Sequence, residues 1–110
     1  MVSYPKTKYW RSKKHLQSVA SLPCQNCGLE GQTQAAHSNL SIHGKGRGIK
    51  ASDEYTAALC CDCHQVVDAS HLMTNEMRQQ IWYDAFRMTV NELQYRGLWS
   101  LDAPTPQIDN

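Results

Sequence analysis

The sequence predicts a small α+β fold, and three observations predict it. Two C-x₂-C knuckles, Cys24/Cys27 and Cys60/Cys63, stand with 32 residues between them. Within that interval two β-prone segments, residues 32–37 and 55–59, flank a loop rich in glycine. Beyond the second knuckle, apolar residues recur at helical spacing from Met77 to Leu93. Together these describe a short hairpin and a helix held by a metal staple, with further helices around it.

Along the chain, residues 1–10 read as an irregular arm in which Tyr4, Tyr9 and Trp10 alternate with lysines. Ser12 can cap a helix that runs to about Ala20, which Leu22-Pro23 ends before the first knuckle. Residues 32–37 form one strand and 55–59 a second, antiparallel to it. Between them SNLSIHGKGRGIKAS, with three glycines and three basic residues, forms a loop. A helix starts at the second knuckle and runs to about Ala69; a longer one follows Thr74 as N-cap, and Gly97 ends it. In the longer helix, Met77, Ile81, Ala85, Phe86, Thr89, Val90 and Leu93 share one face and pack on the core. Trp82, Tyr83 and Phe86 are core or an oligomer contact, and exposure of Trp82 would point to a homodimer through this helix. The tail, with two prolines, is loose. The resulting single domain comprises a basic arm and short helix (1–21), a zinc-bound core (22–72), a packing helix (73–98) and a flexible tail (99–110). Knuckle, hairpin, then a helix carrying the second knuckle is the order of a treble-clef or ββα arrangement.

A chain of 110 residues buries a modest apolar core, and a metal staple compensates for that. Five cysteines is an odd number and the N-terminus is polar, so a reducing cytoplasm fits better than a disulfide framework. No apolar run is long enough for a membrane span. The net charge of +1 conceals a polarity: residues 1–52 carry eight basic side chains and one acid, whereas 53–110 carry nine acids and three arginines. A basic half of this kind reads as a face for a polyanion.

Zn²⁺ takes four soft ligands in a tetrahedron, and Cys24, Cys27, Cys60 and Cys63 are the natural set. Cys61 is the spare, since using it would leave the tighter Cys61-x-Cys63 spacing. Threaded around the knuckles are His37, Asp53, His64 and Asp68. His64 and Asp68 are four residues apart, so on a helix they share a face and can chelate one ion. Phosphodiester hydrolysis needs a base to activate water and a hard cation to carry charge. A neutral histidine suits the first task, and carboxylates with Mg²⁺ suit the second.

C-x₂-C, then AH at Ala36-His37, then LC-x₂-CH at residues 59–64, resembles the zinc-stapled branch of the HNH (ββα-metal) endonucleases. AAHSN, GKGRGIKASD and ALCCDCHQVVD are similar to the small prophage-encoded YbcO-like nucleases, over roughly residues 22–72. The resemblance implies metal-dependent cleavage of DNA, with His37 as general base and His64 as the final, metal-binding histidine. Asp68 falls where some members have a second helical ligand. Two positions depart from the pattern. Ala36 stands where many members have an acid or histidine, and the middle asparagine is absent, with Asp53 its nearest polar substitute by spacing.

HGKGRGIK is not a P-loop, because Lys45 is followed by Gly46 rather than Ser or Thr. Its flexible backbone and Lys45, Arg47 and Lys50 suit contact with phosphates, as do His43 and, in the arm, Lys13 and Lys14. The expectation is a phage or prophage endonuclease acting on DNA, with RNA left open. It carries structural Zn²⁺ and a catalytic Mg²⁺ or Mn²⁺ near His64, Asp53 and Asp68. The alternative is a non-catalytic zinc module that binds nucleic acid or a protein, favoured by Ala36 and the missing asparagine.

Overall fold

The structure, a computed structural model, describes residues 9–106. Three helices and a two-stranded antiparallel sheet follow the order α1 (Lys13–Ala20), β1 (Thr33–His37), a single 3₁₀ turn (Ser41–His43), β2 (Thr56–Cys60), α2 (Cys61–Ala69) and α3 (Asn75–Tyr95). The fold class is α+β, as expected, with strand boundaries shifted by one residue. The first eight residues of the basic arm lie outside the described residues.

Capping signals act where the sequence places them. Ser12 Oγ accepts the His15 N–H at the start of α1, and Thr74 Oγ1 accepts the Met77 N–H at the start of α3. At the other end of α3, Gly97 adopts φ +70°. Its N–H reaches the Gln94 carbonyl at 3.1 Å and the Leu98 N–H reaches that of Leu93 at 2.8 Å. This is the Schellman pairing, which needs a left-handed residue at that position and so favours glycine.

In the hairpin Thr33 pairs with Cys60 and His37 with Thr56. The register sets the first C-x₂-C turn against the second, because the Gln25 N–H also donates to the Ala58 carbonyl at 2.8 Å. All five residues of β2 are buried, so the strand is the central layer, with α3 against it and α1 against both strands. Ala57, Leu59, Trp82, Phe86 and Val90 form the main core with Cys24 and Cys60; Val19, Leu22, Ala58 and Leu93 form a second. Thr89 joins strand and helix, accepting the Ala58 N–H at 2.9 Å and donating to the Ala85 carbonyl.

Two expectations are corrected, at Met77 and the tail, and two are sharpened, at Trp82 and the arm. Met77 is 51% exposed, because the α3 stripe that packs inward runs through Ile81, Trp82 and Ala85 instead. Trp82 is buried, its indole N–H donating to the Ala36 carbonyl, so of its two expected roles it takes the one in the core. The start of the tail is docked: Trp99 packs on both cores and meets His15 edge-on, with ring centroids 4.9 Å apart. Residues 9–12 carry no regular secondary structure, as expected of the arm, and are docked as a strap. The Trp10 N–H donates to Ser52 Oγ, the Asp53 N–H to the Trp10 carbonyl, and the Tyr9 hydroxyl to the Gly44 carbonyl. Among the described residues, no helix is long and apolar enough to cross a membrane.

Candidate metal centre and histidine cleft

The Sγ atoms of Cys24, Cys27, Cys60 and Cys63 all lie within 4.8 Å of one another. Cys27 and Cys60 Sγ are 3.7 Å apart, close to the ~3.8 Å edge of a sulfur tetrahedron with Zn–S bonds of ~2.3 Å. Two turns create this convergence. The first knuckle folds back through Gly28 N–H to the Cys24 carbonyl and Cys24 N–H to the Leu29 carbonyl, with Gly28 at φ +84°. The second sits where β2 passes directly into α2, at Cys60 and Cys61.

Burial opposes ionisation of Cys24. Even so, backbone hydrogen bonding from Cys27, Cys60 and Asn26 and the Cys27 thiol bring it down to about 6. Cys63 is pushed up to about 12, by burial first and then by the neighbouring thiols, against a hydrogen bond from Asn26. Four sulfurs so close cannot all be anionic unless a cation shares their charge, which a divalent metal would do. The donor set is compatible with structural zinc. Cys61 is exposed and lies outside the quartet, as the spacing predicts.

A cleft of about 220 Å³ opens beside the hairpin, lined by Ala35, His37, Ser38, Asn39, Lys45, Lys50, His64 and Asp68. It therefore brings together His37 from the end of β1, His64 and Asp68 from α2, and two loop lysines. His64 Nε2 and Asp68 Oδ2 are 3.2 Å apart, one helical turn from each other. Two donors each ~2.1 Å from one ion stand about 3.0–3.4 Å apart, so the pair can share a cation. The other His64 nitrogen, Nδ1, lies 2.7 Å from Gln34 Oε1. Nδ1 can donate to that oxygen, while Nε2 stands on the Asp68 side of the ring. Asn39 Nδ2 donates to the second carboxylate oxygen of Asp68 at 2.9 Å.

Asp53 departs from its expected place. Its carboxylate lies 2.8 Å from His37 Nε2 and 3.0 Å from Arg11 Nη1, and it accepts the Ser12 N–H at 2.8 Å. It is 3% exposed and does not complete a metal cluster with His64 and Asp68. Among the described residues, the cysteine quartet is the one set of three or more such groups that converges on a single point. The physical reason is the strap, which delivers a guanidinium and a backbone N–H to this carboxylate. Burial raises the Asp53 pKa, but bonds from His37, Ser12 and Arg11 outweigh it and hold the group below the ordinary carboxylate range. The His37 Nε2–H thus points to a fixed anion, leaving Nδ1 as the basic nitrogen.

His43 is also corrected. It is 4% exposed, stacked on Tyr55 with ring centroids 4.0 Å apart, and hydrogen-bonded through Nδ1 to Ser38 Oγ. It anchors the loop to the core rather than meeting phosphate. Lys14 lines a different recess, with Trp99 and Asp102. Lys13 and Arg47 are exposed and outside the cleft lining. Sequence reading missed Arg11, Gln34 and Asn39. Asn39 stood in the motif AAHSN and Arg11 among the basic residues, but nothing local marks their long-range partners.

Neither the curated proteins nor the solved structures include a match to the chain. A family model described as "Protein of unknown function (DUF968)" matches residues 1–85, which take in the strap, both knuckles, the whole cleft and the first half of α3. Because that match covers most of the 110 residues, the chain belongs to the DUF968 family.

Proposed function

We propose that the protein is a metal-dependent DNA endonuclease of HNH type, built on a treble-clef ββα core stapled by Zn²⁺. The observation that carries this reading is the cleft in which His37, His64 and Asp68 face one volume with Lys45 and Lys50 on its wall. Asp53 accepts the Nε2–H of His37, so Nδ1 takes a proton from the attacking water. Lys45 and Lys50 hold the phosphate by charge. Gln34 and Asn39 orient His64 and Asp68, the two side chains that would hold a Mg²⁺ or Mn²⁺ ion. Such an ion supplies positive charge to the phosphate and the leaving 3′-oxygen. Two protein ligands are enough for Mg²⁺, which commonly completes its shell with water and substrate phosphate.

One observation favours the second reading, a zinc module that binds nucleic acid without cutting it. With Asp53 withdrawn, two ligands rather than three face the cleft. Incubating purified protein with supercoiled plasmid and Mg²⁺ or Mn²⁺, beside a His37→Ala variant, separates the readings. Nicking that His37→Ala abolishes is expected; nicking no greater than the variant's with either metal leaves the binding module.

A further inference from the structure

A second recess, of about 250 Å³, adjoins the histidine cleft and shares two of its walls, Asn39 and Asp68. We propose that this recess receives a nucleobase rotated out of the DNA stack, so that the site selects single-stranded or unpaired positions over intact duplex. The inference rests on the nuclease reading of the adjoining cleft.

The two cavities differ in chemistry. The cleft has Lys45 and Lys50 for a phosphate, whereas the recess has no lysine and is lined by the apolar surfaces of Leu40, Val67 and Trp82. Its polar lining includes Asn75, Arg78 and Gln79 on the first turns of α3. Amides offer both donors and acceptors, which matches the edge of a base; a phosphate offers acceptors alone. Arg78 is held in place, Nη1 donating to the Asp68 carbonyl at 3.1 Å and Nη2 to Asn75 Oδ1 at 3.5 Å. Its Nε is buried without a hydrogen-bond partner. A buried donor beside an apolar-lined cavity is a group that a bound acceptor would satisfy.

Continuity supplies the rest. A nucleotide whose phosphate lies between His37 and Lys50 has its base one sugar away, across the wall made by Asn39 and Asp68. A base stacked in a duplex cannot enter such a recess. It must leave the stack first, and that is easiest where it is already unpaired.

The test uses the full chain with His37→Ala, to block cleavage, in Mg²⁺. Fluorescence anisotropy compares a fully paired duplex with one carrying a single unpaired 2-aminopurine. Tighter binding of the unpaired duplex, by roughly tenfold, is expected, with a change in 2-aminopurine emission as the base enters the recess. Gln79→Phe, which fills the recess, and Gln79→Ala, which removes the amide, are added in the same background, with melting curves as the check on folding. Both should reduce the preference, Gln79→Phe to near unity. Equal affinity for the two duplexes, or a preference that survives Gln79→Phe, overturns the inference. Wild-type protein that nicks plasmid without favouring the unpaired base overturns this inference alone. Protein that neither binds nor nicks DNA overturns the nuclease reading and this one with it.

Discussion

The carboxylate of Asp53 is shut away from water and surrounded by three donors, Arg11, Ser12 N–H and His37. Its lowered pKa means that the stabilisation is present at neutral pH and is lost as pH falls below the usual carboxylate range through the lowered value. Asp53→Asn should cost about 1.5–3 kcal/mol at pH 7, measured by urea unfolding, and the gap to wild type should close in acid. The same variant should slow plasmid nicking by ~100-fold or more, since His37 loses the anion that sets its tautomer. His15 behaves differently. It is fully buried between Trp10 and Trp99 with neither ring nitrogen hydrogen-bonded, and burial lowers its pKa against the pull of Asp53 and Asp102. Stability from a neutral His15 is complete above pH ~6.5 and declines as pH falls below it, because the unfolded chain protonates first. A His15→Leu protein should therefore lose less stability than wild type between pH 7 and 5, as followed by thermal melting.

Among elements, the passage from β2 into α2 ties the fold to the site, because Cys60 and Cys63 fix the helix that carries His64 and Asp68. Metal analysis should give about one Zn²⁺ per chain, retained in Cys61→Ser and lost in Cys63→Ser, which should also unfold. One buried hydroxyl, that of Thr89, supplies a hydrogen bond across the apolar α3–β2 contact. Thr89→Val keeps the shape but leaves the Ala58 N–H unsatisfied, at a cost of about 1–3 kcal/mol by denaturant titration. Helix limits were readable in the sequence because Ser12, Thr74 and Gly97 act on their own neighbouring backbone. The cleft residue Asn39 and Gln34 beside it were not, since their partners are 29 and 30 residues away.

For the whole molecule, the charge polarity and the strap matter most. Eight basic side chains fall in residues 1–52, and Lys45 and Lys50 line the cleft. Binding to DNA should weaken steeply with salt, and Lys45→Ala/Lys50→Ala should reduce the slope of log K against log salt by about 2. The amino-acid sequence by itself determined the four-thiol site and the order of hairpin and helices, because C-x₂-C turns, caps and hydrophobic periodicity are local. It also singled out His37, His64 and Asp68, which the fold gathers into one cleft. Tertiary structure alone decided that Asp53 serves His37 instead of a cation, that His43 belongs to the core, and that Trp99 and the strap are docked. Each of those outcomes turns on which distant group reaches a side chain first, and that depends on how the loop, strap and helices close over the sheet.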